Sequence, residues 1–202
     1  MSTTRPNLSI DRLISELQAL AKISEMEPPV VTRIVFSEAD MRARAYVREL
    51  CEDAGLTISN DAVGNTFARW QGTEPGLAPI GTGSHIDAIP NAGLYDGCVG
   101  VLGGLEAIRV LQQLGFNPRR SIELAIFTAE EPTRFGIGCL GSRMMANVLT
   151  PAQARALRDK EGQGLEELRA KAGFSGALES VAVAPDRFHK FVELHIEQGP
   201  YL

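Results

Sequence analysis

Apolar residues recur at spacings of three and four along the first part of the chain, which is the pattern of helices that bury one face. Helices are predicted for residues 10–21, 37–55 and 97–114. Ser37 suits the start of the second helix, because a serine side chain can accept a hydrogen bond from a free backbone N–H. Gly55 and Gly115 suit the ends of the second and third helices, because glycine readily adopts the left-handed conformation of a C-cap.

Short apolar segments alternate with these helices and predict strands. The predicted strands cover residues 56–59, 65–70, 78–84, 121–128 and 188–195, residues 91–97 are predicted to be a loop, and further short helices are predicted at 142–148, after Thr150-Pro151 and at 165–172. Apolar strands separated by helices are typical of a sheet that helices cover on its faces. The predicted fold class is therefore α/β, with a mixed sheet flanked by helices.

Composition and charge exclude several classes of protein. The chain has 202 residues, 44% of them hydrophobic, and its 20 basic and 25 acidic residues give a net charge of −5. This balance provides no basic face for nucleic acid. No apolar run approaches the roughly 18 residues of a membrane span, and the N-terminal residues lack the features of a secretory signal. Three scattered cysteines do not make a disulfide scaffold. We therefore expect a soluble, cytoplasmic protein with no membrane partner.

Three polar clusters stand at the predicted ends of strands or in the loops that follow. They are His85-Ile86-Asp87 with Asp96, Glu130-Glu131, and His195 with Glu197-Gln198. Each cluster alone is a weak signal, because most Glu-Glu pairs are solvated and most single histidines are not ligands. The coincidence is informative, because functional groups gather beyond the carboxyl ends of strands in sheets of this kind.

These residue types suit a pair of divalent cations. Imidazole and carboxylate ligands favour zinc or manganese, and no CxxC pair indicates a structural zinc site. Asp96, in a loop beside Gly97, fits a carboxylate that bridges two ions, and His85 fits a ligand of one of them. Asp87 could accept the other ring N–H of His85 and fix its tautomer, and a turn or helix cap is the alternative interpretation of Asp87.

The adjacent carboxylates Glu130 and Glu131 can divide two roles between them. Neighbouring side chains at the end of a strand point in different directions, so that one can bind metal while the other faces a water molecule. A metal pair lowers the pKa of a bound water to roughly 7, and a nearby carboxylate can then take its proton and pass it to a leaving nitrogen. This division of labour is typical of a hydrolase.

Other catalytic interpretations are weaker. Gly81-Thr82-Gly83 begins like a dinucleotide fingerprint but lacks the third glycine, and the chain contains neither a phosphate loop nor a GxSxG elbow. Cys98 and Cys139 lie in small apolar sequence, where a cysteine is more often buried than nucleophilic. His189 has charged neighbours, which indicates a surface or strand-edge histidine and not a ligand.

Three segments, taken together, resemble a known family. They are GTGSHIDAIPNAGLYDGCVGVLGGLEAI, FTAEEPTRFGIGCLGSR and ELHIEQGP, and they occur in the order in which the dinuclear-metal ureido amidohydrolases carry them. That family is a branch of the aminoacylase-type metallopeptidases. The resemblance implies the catalytic domain of that class and hydrolysis of a linear ureido or carbamoyl C–N bond.

The resemblance also implies a role for each candidate residue. His85 and His195 match ligands of the first metal, Asp96 the bridging carboxylate and Glu131 a ligand of the second metal. Glu130 matches the general base, and Gln198 matches a residue that hydrogen-bonds the substrate. The implied cofactors are two divalent ions, manganese or zinc. The implied substrate is a small ureido compound, with ureidoglycolate favoured over allantoate and N-carbamoyl amino acids.

The resemblance covers only part of such an enzyme. Residues 1–202 match the N-terminal portion of the catalytic domain, and the lid and dimerisation domain and the C-terminal catalytic part have no counterpart in this sequence. Those missing parts supply the last metal ligand, the groups that clamp the substrate carboxylate and the contacts of the family homodimer. A catalytically inactive fragment is therefore an alternative to an active enzyme.

Overall fold

Helices and strands alternate through residues 8–197, the part of the chain that the computed structural model describes. Its strands are Val31–Arg33 (β1), Thr57–Asn60 (β2), Thr66–Trp70 (β3), Ile80–His85 (β4), Ala88–Ala92 (β5), Ile122–Phe127 (β6) and Lys190–Val192 (β7). Its α-helices are Ile10–Ala21 (α1), Glu38–Asp53 (α2), Cys98–Gln113 (α3), Leu140–Met145 (α4), Pro151–Ala156 (α5) and Leu165–Lys171 (α6). None of these helices is long and apolar enough to cross a membrane.

Five strands form one mixed sheet in the order β2-β3-β6-β4-β7. Strand β4 runs parallel to both β6 and β7, whereas β3 is antiparallel to β2 and to β6. Because β4, β6 and β7 are parallel, their carboxyl ends lie at the same edge of the sheet. The predicted mixed sheet is confirmed, and its parallel half is the part that carries the polar clusters.

The sheet has an apolar core on each face. Successive side chains of a strand point to opposite faces, so Phe67 and Ala125 join one core while Ala68 and Leu124 join the other. Helices α4 and α6 contribute to the first core, and helices α1, α2 and α3 contribute to the second. The sheet is therefore flanked by helices on both faces, as the sequence pattern predicted.

The last strand is shorter than predicted. Only Lys190–Val192 of the expected strand 188–195 pairs, and this ladder ends where Val192 lies opposite Thr82. The next residue of β4 is Gly83, whose φ of 135° lies in the region that favours glycine and whose backbone lies close to Ala125 of β6. Because the ladder between β4 and β7 ends before Gly83, the chain beyond Val192 approaches the site without backbone pairing to β4.

Strands β1 and β5 were not predicted, and β5 overlaps the predicted loop at 91–97. They pair antiparallel with each other in a separate two-stranded sheet. Both are short, and Pro90 breaks any alternation in β5, so the local pattern carries no strand signal. The buried guanidinium of Arg33 in β1 donates hydrogen bonds to the carbonyl oxygens of Leu20 and Ile86, which connects this small sheet to the residue beside His85.

Helix α4 begins two residues before its predicted start at residue 142 and ends at Met145 instead of residue 148. Gly141 lies inside the helix, one residue before the predicted range. A Cβ at Gly141 would lie 2.0 Å from Oδ1 of Asn65, so the glycine allows the helix to approach Asn65, the residue before strand β3, closely. Tertiary packing, and not helix propensity, explains this residue.

Candidate active site

The candidate site lies beyond the edge of the sheet at which β4, β6 and β7 end. His85 is the last residue of β4, and Glu130-Glu131 follow β6 in parallel register. Asp96 comes from the loop that leads into α3, and His195 follows β7. The structure therefore brings together side chains from all three polar clusters that the sequence placed at separate points of the chain.

His85, Asp96 and His195 form the centre of the site. One ligand atom from each of them lies within 4.8 Å of the other two, a spacing at which a single metal ion could contact all three. Nε2 of His85 lies 3.8 Å from Oδ1 of Asp96, and Nε2 of His195 lies 3.5 Å from the same oxygen. His85 and Asp96 are buried, whereas the side chain of His195 is 40% exposed.

The approach of Asp96 to His85 depends on the glycine that follows it. Gly97 is the N-cap of α3 and has a φ of 64°, in the left-handed region that favours glycine. A Cβ on Gly97 would lie 2.5 Å from Nε2 and from the carbonyl oxygen of His85. The left-handed backbone conformation and the lack of room for a Cβ therefore both require glycine at this position.

Asp87 contacts the two segments that carry the site. Its backbone carbonyl lies 3.0 Å from Nδ1 of His85, whereas its nearest carboxylate oxygen lies 3.7 Å away. The acceptor that orients the ring is therefore the carbonyl and not the carboxylate that the sequence suggested. The carboxylate instead accepts hydrogen bonds from the backbone N–H groups of Glu130 and Glu131, at 3.2 and 3.0 Å. Burial raises the pKa of Asp87 to about 6.

Glu130 reaches into the site from the loop after β6. Its Oε2 lies 3.6 Å from Nε2 of His85, and its Oε1 accepts a hydrogen bond from the thiol of Cys139 at 3.2 Å. The backbone N–H of Cys139 also donates to the carbonyl of Glu130 at 2.6 Å. Ala129, the residue before Glu130, has a φ of 49°. This left-handed conformation costs a non-glycine residue about 1–3 kcal/mol and turns the chain sharply after β6.

Glu131 and Asp96 place two carboxyl groups against each other. Burial, followed by hydrogen bonding and repulsion from Asp96, raises the pKa of Glu131 to about 7. A bound cation between the two groups would offset their repulsion and favour the ionised form of Glu131. Together with two imidazoles, these carboxylates form a donor set that fits zinc or manganese.

A cavity of about 610 Å³ opens in front of these groups. His85, Glu130 and His195 line it, as do Ser84, Cys139 and Glu193, which the sequence did not indicate as site residues.

Cys139 is only partly buried, so the expectation that it is simply buried is wrong. Burial and the neighbouring Glu130 nevertheless raise the pKa of its thiol to about 11. A thiol with so high a pKa is a poor nucleophile, which agrees with the low weight given to cysteine catalysis.

A neighbouring cavity of about 410 Å³ is mainly apolar. It shares Phe127, Ser142 and Phe191 with the cavity of the site but holds none of the candidate ligands or proton carriers. The chemistry of the site therefore belongs to the larger, more polar cavity.

Three further residues were considered in the sequence analysis. Gln198, the predicted substrate contact, is outside the described residues. His189 is exposed, as expected of a surface histidine. Cys98 is buried beside the guanidinium of Arg33, at 3.9 Å, and does not line the cavity.

Several known proteins are similar to this chain. Residues 81–202 match the model of peptidase family M20/M25/M40. The chain is 48% identical over 198 residues to a ureidoglycolate hydrolase of Oryza sativa subsp. japonica, which covers 95% of this chain and 40% of that protein. It is 38% identical over 193 residues to an N-carbamoyl-L-amino acid amidohydrolase of Geobacillus stearothermophilus, covering 95% of this chain and 47% of that protein.

Solved structures have the same fold. A crystal structure of AtUAH in complex with glyoxylate superposes with a TM-score of 0.92 at 44% identity, over 96% of this chain and 47% of that chain. The chain thus spans less than half the length of these relatives.

Proposed function

Because the chain belongs to peptidase family M20/M25/M40, we propose that it supplies the N-terminal catalytic part of a metal-dependent amidohydrolase that cleaves a linear ureido C–N bond. The observation that carries this proposal is the convergence of His85, Asp96 and His195 within 4.8 Å, with a carboxylate of Glu130 beside them. Ligands and a proton acceptor meeting in one cavity are what metal-assisted hydrolysis requires.

The proposed cofactors are two divalent cations, manganese or zinc. His85, Asp96 and His195 would hold the first, and Asp96 with Glu131 would hold the second. Bound cations would polarise the ureido carbonyl group and make water a better nucleophile. The mutual proximity of Asp96 and Glu131, which raises the pKa of Glu131, supports Asp96 as the bridging carboxylate.

Glu130 is proposed as the general base. Glu130 lines the cavity with its Oε2 3.6 Å from Nε2 of His85, where it can take a proton from the attacking water and return it to the leaving nitrogen. The Cys139 thiol holds Oε1, so the two oxygens of Glu130 have different environments. Asp87 supports the reaction indirectly, because its carboxylate holds the backbone of Glu130 and Glu131 in place.

Ureidoglycolate is the proposed substrate. The Oryza relative is named for this substrate, and the structure of AtUAH holds glyoxylate, one of the products expected when ureidoglycolate is converted to glyoxylate, ammonia and carbon dioxide. Allantoate or an N-carbamoyl amino acid is the second candidate, and the carbamoylase relative at 38% identity favours it.

We further propose that residues 1–202 are the N-terminal portion of a longer catalytic domain. The relatives are more than twice as long as the segment that matches this chain, which leaves room for the lid and dimerisation domain, the last metal ligand and a carboxylate clamp. A homodimer formed through that domain and a cytoplasmic location are part of this proposal. Gln198 is proposed to contact the substrate.

Turnover of matched substrates tests the proposal. The chain is assayed alone and fused to the corresponding C-terminal part of the Oryza relative, after loading with Mn²⁺ or Zn²⁺, on ureidoglycolate, allantoate and an N-carbamoyl amino acid. The fusion should release ammonia fastest from ureidoglycolate, whereas an inactive chain alone would show that the missing part is needed. A fusion that binds no stoichiometric metal and turns over none of the three substrates, while the full-length relative is active, would contradict the proposed function.

A further inference from the structure

His195 enters the site from a segment that the sheet does not hold. The β7 ladder ends at Val192, and in the part of the chain that the structure describes Glu193, Leu194 and His195 belong to no strand. Nevertheless, Nε2 of His195 lies 3.5 Å from Asp96. Contacts other than backbone pairing must therefore keep this histidine within reach of the other ligands.

We propose that Ser84 and Glu193 form a clasp that positions His195 for cation binding. The hydroxyl of Ser84 donates a hydrogen bond of 2.6 Å to Oε1 of Glu193 across 109 residues of sequence. Ser84 is only 1% exposed and belongs to β4, so it is a rigid anchor for an otherwise exposed segment. This inference rests on the metal site of the proposed function.

The clasp joins the immediate surroundings of the two histidine ligands. Ser84 precedes His85, and Glu193 stands two residues before His195, where an extended chain directs both side chains to the same side. Glu193 and His195 both line the cavity of the site, in agreement with this geometry. Fixing the carboxylate of Glu193 against β4 therefore also limits where the imidazole of His195 can lie.

Helix α3 packs against the same segment, residues 193–195. A Cβ on Gly100 would lie 2.5 Å from the carbonyl oxygen of Leu194 and 2.8 Å from Cβ of Ser84. The absence of a side chain at Gly100 thus lets Leu194, the residue between Glu193 and His195, pack directly on the helix beside Ser84. The clasp and the helix hold the segment from two sides.

A held histidine binds a cation more tightly than a free one, because less conformational entropy is lost on binding. Residues that hold metal ligands in place typically account for 10–100-fold of metal affinity. The clasp should therefore be visible in metal affinity alone, without any measurement of turnover.

Zinc affinity of the 202-residue chain, measured by competition with a chromophoric chelator, tests the clasp. We expect S84A and E193A each to weaken Zn²⁺ binding about 10-fold. E193Q should stay within about threefold of the wild type, because its amide oxygen still accepts the hydrogen bond of Ser84. S121A is the matched control: Ser121 is also a buried serine, its Oγ accepts a hydrogen bond from the backbone of Gly72, and it lies at the opposite end of the sheet.

The outcomes separate the clasp from its alternatives. Affinity in S84A equal to that of the wild type would overturn the clasp while leaving the metal site intact. If E193Q fell as far as E193A while S84A did not change, Glu193 would be a direct ligand and the clasp would be wrong. If S121A lost as much Zn²⁺ affinity as S84A, the weaker binding of S84A would reflect general destabilisation, and the clasp would be wrong. A wild-type chain that binds no Zn²⁺ would overturn both the clasp and the proposed metal site.

Discussion

Asp96 is the side chain that the other candidate metal-binding residues of the site approach. Both histidines direct Nε2 toward the same oxygen of Asp96, and Glu131 contacts the carboxylate as well. A carboxylate shared in this way can bridge two cations. The consequences of single substitutions should therefore differ sharply from one position to the next.

Glu130→Gln should separate metal binding from catalysis. The amide keeps the shape of the side chain but cannot take a proton, so turnover of the active fusion should fall by about 10²–10⁴-fold with the metal content unchanged. Glu131→Gln is the comparison, because the loss of its charge should reduce the bound metal itself. Measurements of ammonia release and metal content distinguish the two, and full turnover in E130Q would show that Glu130 is not the base.

Asp87 should give the metal-free protein a characteristic dependence of stability on pH. Burial raises its pKa from 3.8 to about 6, so the folded state binds the proton more tightly than the unfolded state. The stabilisation from protonated Asp87 is complete below about pH 4 and is lost as the pH rises through 6. The unfolding free energy of the wild type, minus that of Asp87→Asn, should therefore fall by about 2–3 kcal/mol from pH 4 to pH 7.

Urea unfolding of both proteins in the presence of a chelator measures this difference. The other titrating groups are common to the two proteins, so the contributions of those that do not interact with Asp87 cancel in the subtraction. A difference that stays flat or increases with pH would mean that Asp87 remains ionised in the folded protein.

At the scale of elements, helix α3 depends on glycines at both of its ends. Gly97 and Gly115 have similar left-handed φ values of 64° and 69°. They differ in their surroundings, because a Cβ on Gly97 would collide with His85 whereas a Cβ on Gly115 would meet nothing within 4 Å. The conformational requirement is common to both positions, but only Gly97 bears on the site.

Gly97→Ala and Gly115→Ala should therefore both lose stability, but to different extents and with different effects on metal binding. Gly115→Ala should lose about 1–2 kcal/mol of unfolding free energy, the cost of a left-handed non-glycine residue. Gly97→Ala should lose more than this, because its Cβ would also collide with the ring and the backbone oxygen of His85. Only Gly97→Ala should also lose most of its Zn²⁺ affinity, because His85 or Asp96 must move. Urea unfolding and chelator competition test this pair, and equal Zn²⁺ affinity in both variants would show that the close approach of Gly97 to His85 is not needed.

Elements with a strong local signal were predicted well, and elements that depend on distant partners were not. The amphipathic periodicity of α1, α2 and α3 was sufficient to locate them within two residues. Strands β1 and β5 depend on pairing with each other and on contacts with distant residues, such as those of the buried Arg33, so their own residues carry no strand pattern. Helix α4 was misplaced because Gly141 serves a contact with Asn65 that sequence periodicity does not reveal.

At the scale of the whole molecule, strand β7 leaves an apolar surface at one edge of the sheet. All three of its residues are exposed, and within the described residues β7 pairs only with β4. Val192 is 64% exposed and Leu194 is 53% exposed. An open strand edge with apolar side chains is a template for pairing with another chain.

Val192→Lys should therefore reduce self-association of the isolated 202-residue chain. A charge on an edge strand opposes the pairing of two such edges. Val148→Lys is the matched control, because Val148 is 61% exposed but lies outside the strands. Light scattering at increasing protein concentration measures the effect, and an equal reduction in both variants would point to net charge and not to the edge of β7.

The sequence by itself determined the layered α/β class, the residue types of the candidate metal site and their placement at or after strand ends. These features depend on local periodicity and on which side chains can bind metal, and both can be read along a chain. Only the tertiary structure decided that the carbonyl of Asp87 faces His85, that Cys139 holds Glu130, and that Ser84 meets Glu193. Such contacts depend on distances of a few ångströms between separate elements, and those distances are set by packing.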